Sequence, residues 1–190
     1  MGKRRSPEQE ARRQRLILLG ALLLMLAANL RPVYGVSVAG RELPGRYARR
    51  QTERCAALAR KAAEEILGTA EAVPTPELHL HLSLRPAAGD EAVLTDALLC
   101  STEGVAVSDE VRVNGTRLGT VADREALRIA LDRSIRRQMP MAAVSGSIRG
   151  HLEYRRVYTR AGGDTPLSDM VLLITGMAPV VYVDADGKLA

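Results

Sequence analysis

The sequence contains no phenylalanine and no tryptophan, and its only aromatic residues are Tyr34, Tyr47, Tyr154, Tyr158 and Tyr182. A core must therefore be assembled from Leu, Val, Ile, Ala and Met. The flat aromatic platforms on which sugars and single-stranded nucleic acids stack are nearly absent, which argues against both as ligands. Cysteine is scarce too. Cys55 and Cys100 are too few for a disulfide scaffold or a cysteine zinc site. They either form one disulfide, if the body is exported, or serve as small buried apolar residues. Histidine occurs only at positions 79, 81 and 151.

The remaining composition, 46% hydrophobic and 26% charged over 190 residues, suits one ordinary domain or two very small ones and excludes wholesale disorder. The net charge of +5 is unevenly placed. Residues 1–15 carry Lys3, Arg4, Arg5, Arg12, Arg13 and Arg15 against Glu8 and Glu10, whereas the rest of the chain sets 21 basic residues against 20 acidic ones. A nearly neutral body behind a basic tail is the pattern of a membrane-orientation signal, not of a phosphate-binding face, so nucleic acid is not expected as a partner. The local basic gathering between Arg46 and Lys61 reads as a solvated helix face.

Residues 16–30, LILLGALLLMLAANL, are uncharged and almost wholly apolar. As a helix they span roughly 22 Å, short of the ~30 Å hydrocarbon core. Continuation to residue 33 requires Arg31 to snorkel, and Pro32 is expected to kink or end the helix. The expectation is a transmembrane anchor over 16–33 that contacts the lipid bilayer, with residues 1–15 as a cytoplasmic tail and a single-pass, extracytoplasmic body at the cell membrane. Secretion after signal cleavage at Ser37-Val38-Ala39 is the alternative, although that cut falls inside a motif that recurs.

Internal repetition organises the body. VSVAGREL at 36–43 and VRVNGTRL at 111–118 share V-x-V-x-G-x-x-L, and LTDALL at 94–99 answers LSDMVL at 167–172 in the same order. In the second copy, Val111 and Val113 alternate into Asn114-Gly115, a strong hairpin signal. Asp123 is placed to cap a helix whose buried stripe is Leu127, Leu131 and Ile135. A strand around 147–158 and a helix over 166–175, capped through Thr165 or Ser168, complete it. In the first copy, a hairpin at Gly40 leads to a helix over 47–67 with a stripe of Cys55, Leu58, Ala62 and Ile66. Leu78, Leu80, Leu82 and Leu84 then alternate as a half-buried strand, apolar side inward. The fold class expected is α+β: an N-terminal transmembrane helix, then two tandem ββαβα-like repeats with small antiparallel sheets. Repeat 1 occupies 34–108, repeat 2 occupies 109–181, and 182–190 (from VYVDADGKL) resembles the start of a third.

VRVNGTRLGTVADREALRIAL and VYTRAGGDTPLSDMVLLITGMAPVVYVDADGKLA resemble the non-catalytic, membrane-anchored N-terminal regions of clostridial lysostaphin-type cell-wall metallopeptidases. The resemblance covers residues 74–190 best. It implies modules of the V-x-V-x-G-x-x-L-G type that precede a peptidase or wall-binding domain. That class carries a His-x-x-x-Asp pair upstream of His-x-His. His79-Leu80-His81 has the second form, but no histidine precedes it and none of the three histidines has an aspartate four residues later.

Other arrangements read as structural. His79 and His81 share one strand face with His151 as a conceivable third zinc ligand, yet alternation explains the pair without a metal. Asn114-Gly115-Thr116 is a sequon read as a hairpin turn. Asp184, Asp186 and Gly187 are read as a turn and not a calcium loop. Ser145 and Ser147 flank Gly146 at spacings wrong for a nucleophile elbow. Asp96 and Asp169 match between copies and fit helix starts. No catalytic, cofactor or metal residue is expected. The functional expectation is a non-enzymatic, envelope-associated module that contacts a cell-wall polymer or another envelope protein. The alternative is the anchoring or regulatory part of a peptidoglycan metallopeptidase.

Overall fold

A computed structural model of the chain describes residues 7–189, so the first six residues of the basic 1–15 segment lie outside the described residues. Helix α1 (Pro7–Asn29) is followed after one residue by strand β1 (Arg31–Val38), then β2 (Arg41–Glu42), α2 (Arg49–Leu67), β3 (Glu77–Ser83) and α3 (Glu91–Cys100). The second half runs β4 (Val105–Val113), β5 (Thr116–Val121), α4 (Arg124–Arg137), β6 (Ser145–Ile148), β7 (Leu152–Arg160), α5 (Leu167–Met177) and β8 (Val180–Val183). This is a mixed α and β structure with five described helices and small antiparallel sheets. Two compact units divide it. One extends to Ala59 and resumes over Pro74–Leu98; the other takes Arg60–Val73 and the described chain from Leu99 onward.

The transmembrane helix expected over 16–33, and with it the signal-anchor, the bilayer contact and the single-pass membrane location, is corrected here. Among the described residues, no helix is long and apolar enough to cross a membrane. The apolar run gives out at both ends. Glu8, Glu10, Arg12, Arg13 and Arg15 occupy the early turns of α1 in sequence, and the helix stops at Asn29. Arg31, Pro32 and Val33 belong instead to β1, paired with Ser83, Leu82 and His81 of β3. From Leu16 to Asn29 a helix rises only about 21 Å. The leucines of this stretch are exposed.

In the first unit the sheet order is β2-β1-β3, all antiparallel. The β1–β2 hairpin turns at Ala39 (φ 49°) and Gly40 (φ 78°). Two consecutive positive φ values give the hairpin a twist that matches its strands. The core gathers Val33, Val36, Val38, Leu43, Tyr47, Cys55, Leu94 and Leu98. Asp90 Oδ1 accepts from Ala92 N at 2.8 Å at the start of α3. Along the first-unit part of α2 the buried residues are Thr52, Cys55, Ala56 and Ala59, whereas Leu58 is 52% exposed. The stripe expected through Leu58 is thus displaced: this helix buries small residues, which allow close approach, and turns Leu58 outward.

The second unit has a sheet in the order β5-β4-β7 and a separate ribbon of β6 with β8. Asn114 (φ 51°) and Gly115 (φ 82°) turn the β4–β5 hairpin. Asp123 caps α4, its carboxylate accepting from Glu125 N and Ala126 N. Leu127, Leu131 and Ile135 form the buried stripe of that helix and pack with Val111, Val113, Val121, Met170, Ile174 and neighbours. Each such side chain contributes roughly 1.5–3 kcal/mol by leaving water. The α5 cap differs from expectation: Pro166 occupies it without a side-chain bond, and Thr165 N instead donates to Thr120 O at 2.8 Å. The single strand expected around 147–158 is two. Arg149 N leaves to bond Pro179 O at 2.9 Å, and β6 pairs with β8 while β7 pairs with β4.

Candidate interaction surface

Strand β3 contains no proline, glycine or lysine and starts directly after Pro76. It pairs with β1 over its whole length, Glu77 opposite Ser37 through Ser83 opposite Arg31. Opposed residues share a face. Leu78, Leu80 and Leu82 therefore lie on the side of Val36, Tyr34 and Pro32, and His79 and His81 on the side of Gly35 and Val33. As the outermost strand, β3 has a second, unpaired edge.

The leucine side is open. Leu80 is 62% exposed and Leu82 65%. This overturns the expectation that alternation carries these leucines into a core: β1 takes the covered position, with Val36 fully buried, and β3 overhangs it.

The histidine side is polar and braced by β1. Ser37 Oγ lies 3.3 Å from His79 Nε2. Gly35 leaves a hollow into which neighbouring tips converge. A Cβ there would meet Arg46 Nη1 at 3.3 Å, His81 Nε2 at 3.4 Å and Glu42 Oε1 at 3.7 Å. Glu42 and Arg46 form an exposed ion pair at 3.8 Å, a contact worth little by itself. Ser37 is the second-to-last residue of β1, with its backbone engaged in the ladder opposite Glu77, and not at the strand-to-helix elbow that presents a nucleophilic serine.

The other sequence candidates take up separate, local tasks. His151 is exposed in the second unit, its Nε2 3.3 Å from Glu153 Oε1, and its backbone N donates to Asn114 Oδ1 at 2.9 Å. The Asn114 side chain thus braces the hairpin against the start of β7. Among the described residues, no group of three or more His, Cys, Asp or Glu is positioned to hold a metal. Asp184 Oδ1 accepts from Asp186 N at 2.9 Å and Lys188 N at 2.8 Å, closing the turn after β8. Ser145 and Ser147 lie in β6. Asp169 is in the first turn of α5, but Asp96 falls in the interior of α3. Neither cysteine is in a disulfide. Cys55 Sγ donates toward Glu91 O at 3.7 Å, and Cys100 accepts from Arg156 Nη2 at 3.9 Å.

One arrangement escaped sequence reasoning altogether. Glu110 is buried on the polar face of the second sheet, its carboxylate 2.6 Å from Arg112 Nε and 2.9 Å from Arg117 Nε. The hydrogen bond from Arg112 holds its carboxyl below the usual carboxylate range; burial opposes that shift, and the charges of Arg112, Arg117 and Arg155 reinforce it. Nearby, the Ser108 and Thr159 hydroxyls meet at 2.8 Å. A carboxylate saturated by guanidinium groups is a structural brace. On α4, Arg128 is likewise occupied, by Glu125 at 2.5 Å and Asp132 at 3.5 Å.

No protein-family model, no curated protein and no solved structure matches the chain.

Proposed function

We propose that this chain is a non-enzymatic contact module whose working surface is the leucine side and free edge of β3, and whose partner is a protein. The observation that carries the reading is the exposure of Leu80 and Leu82 on an edge strand. Folded proteins guard such edges with proline, lysine or a bulge, because an unpaired apolar edge invites another strand. Here none of those guards stands within 77–83. Leucine side chains and backbone amides suit a protein strand, by the edge-addition mode of peptide recognition. They supply neither the aromatic platform nor the array of polar groups that a wall polymer requires, so protein contact is favoured over polymer contact. The same surface would serve the regulatory role in a wall metallopeptidase that the sequence resemblance implies.

The test is a photo-reactive residue placed at position 80, at 82 or at Leu58, an exposed leucine on α2, in cells that express the full chain. Adducts to protein at 80 and 82 and none at 58 support the reading. Adducts to polysaccharide alone, or equal yields at all three positions, overturn it.

A further inference from the structure

We infer that the partner on this edge is a second copy of the same chain, paired β3 to β3 antiparallel about a two-fold axis through Leu80. The inference rests on the contact reading above and adds the identity and register of the partner.

Backbone direction comes first. Tyr34 N and O are engaged by Tyr47 O and N, both at 2.8 Å, and Val36 O accepts from Leu43 N at 2.9 Å. These even-numbered residues of β1 therefore direct their amides away from β3. In an antiparallel pair the bonding residues alternate, so Val33, Gly35 and Ser37 bond β3 through His81, His79 and Glu77. What remains on the outer edge of β3 is one N–H and one C=O from each of Leu78, Leu80 and Leu82.

The sequence then favours one register, the one in which all three leucines within β3 pair with one another; a shift of two residues keeps the bonding positions but leaves one of them opposite a residue outside the strand. Residues 78–82 read Leu-His-Leu-His-Leu, the same in both directions. About a two-fold axis at Leu80, Leu78 faces Leu82 of the copy, Leu80 faces Leu80, and His79 faces His81. Every outward N–H then meets an outward C=O, because the leucines are the bonding residues on both strands. Leucine meets leucine on one face, and imidazole meets imidazole on the other. Glu77 falls opposite Ser83, so no two carboxylates and no two guanidinium groups are opposed within the paired strands. A shift by one residue would place histidine against leucine and break the match of bonding positions. The interface is isologous, as two-fold dimers require, and it joins the two three-stranded sheets into one of six.

The experiment uses the full purified chain with Cys100→Ser, which removes the exposed thiol. Opposed residues on hydrogen-bonded positions have Cα atoms about 5.5 Å apart, within disulfide range. Mild oxidation of Leu80→Cys should give a covalent dimer. Leu78→Cys alone should give none, and a mixture of Leu78→Cys with Leu82→Cys should give the mixed dimer. In light scattering at rising concentration, the chain without these cysteines should approach twice its monomer mass. Leu80→Lys, at a position 62% exposed and so tolerant of substitution, should raise the dissociation constant at least 10-fold. Equal oxidation at 78 and 80, or a chain that stays monomeric throughout, overturns the proposal. If the chain is monomeric and the photo-adduct at position 80 is a different protein, the second copy is refuted while the contact reading stands. If position 80 traps no protein, both fall.

Discussion

Gly89 lies against the ring of the fully buried Tyr47, so close that a Cβ at Gly89 would come within 2.4 Å of Cδ1 and Cε1. The ring is pinned at its far end, where the Tyr47 hydroxyl donates to Pro44 O at 3.1 Å. Gln51 Nε2 holds the glycine in turn by donating to Gly89 O at 2.7 Å. Ring and glycine backbone are thus each tied by a hydrogen bond of their own. Gly89→Ala should cost about 2–3 kcal/mol, the upper part of the range for overpacking a filled interior. Urea titration of the two proteins measures it; a loss below about 0.5 kcal/mol would show that the ring moves freely.

Ala39→Asn should do the opposite. Ala39 holds φ 49° in the first hairpin, where the second hairpin has Asn114 at φ 51°. A left-handed alanine is strained by roughly 1–2 kcal/mol, and asparagine tolerates that conformation better. The substitution should raise the thermal midpoint, with a gain of up to about 1 kcal/mol, and an unchanged or lower midpoint would contradict the turn geometry.

Glu110 sets a pH dependence. Its carboxyl titrates below the usual range in the folded chain, chiefly through the hydrogen bond from Arg112 and against the effect of burial. A depressed folded value means that the stabilisation is complete above the unfolded carboxyl value and is lost as pH falls through the folded one. Glu110→Gln should therefore be less stable than the native chain at pH 7, and the difference should shrink as the pH is lowered below about 4. Denaturant midpoints of both proteins from pH 7 to pH 3 give the curve, and a constant gap would mean that the loss comes from packing and not from charge.

The leucines of the first unit should divide sharply. Leu98 is fully buried, and Leu98→Ala should cost about 2–5 kcal/mol. Leu82→Ser, at a position 65% exposed, should change the stability of the isolated chain by no more than about 0.5 kcal/mol. Thermal melts at low concentration, where self-association does not contribute, make the comparison. A large loss at Leu82 would place that side chain in a core after all.

What could be read from the chain beforehand follows a physical line. Leu127, Leu131 and Ile135 were legible because a helical period and a capping Asp123 agree. Asn114-Gly115 was legible because few residues accept two left-handed conformations in succession. The outward leucines of β3 were not. Period-two alternation reports that a strand has two unlike faces and is silent on which face is covered. That depends on the neighbouring strand and helix, here β1 taking the sheltered place. The α2 stripe was misjudged for a related reason: hydrophobicity favoured Leu58, while the helix buries Cys55, Ala59 and Ala63, residues whose merit is their size. Glu110 was not singled out: Arg112 lies two residues along the same strand, but Arg117 sits across a hairpin whose register sets its approach, and alternation is silent on the carboxylate's burial. The apolar run from Leu16 suggested a spanning helix because its composition outweighed its length.

The join between α1 and β1 has a mechanical consequence. One residue, Leu30, separates the end of the helix from the start of the strand, and that strand is the middle one of its sheet. A helix of 23 residues extends about 34 Å, so α1 carries its exposed leucines away from the central strand on a joint of one residue. A turn of about 10° at that residue sweeps the far tip through roughly 6 Å, which sets how wide a zone those leucines can search.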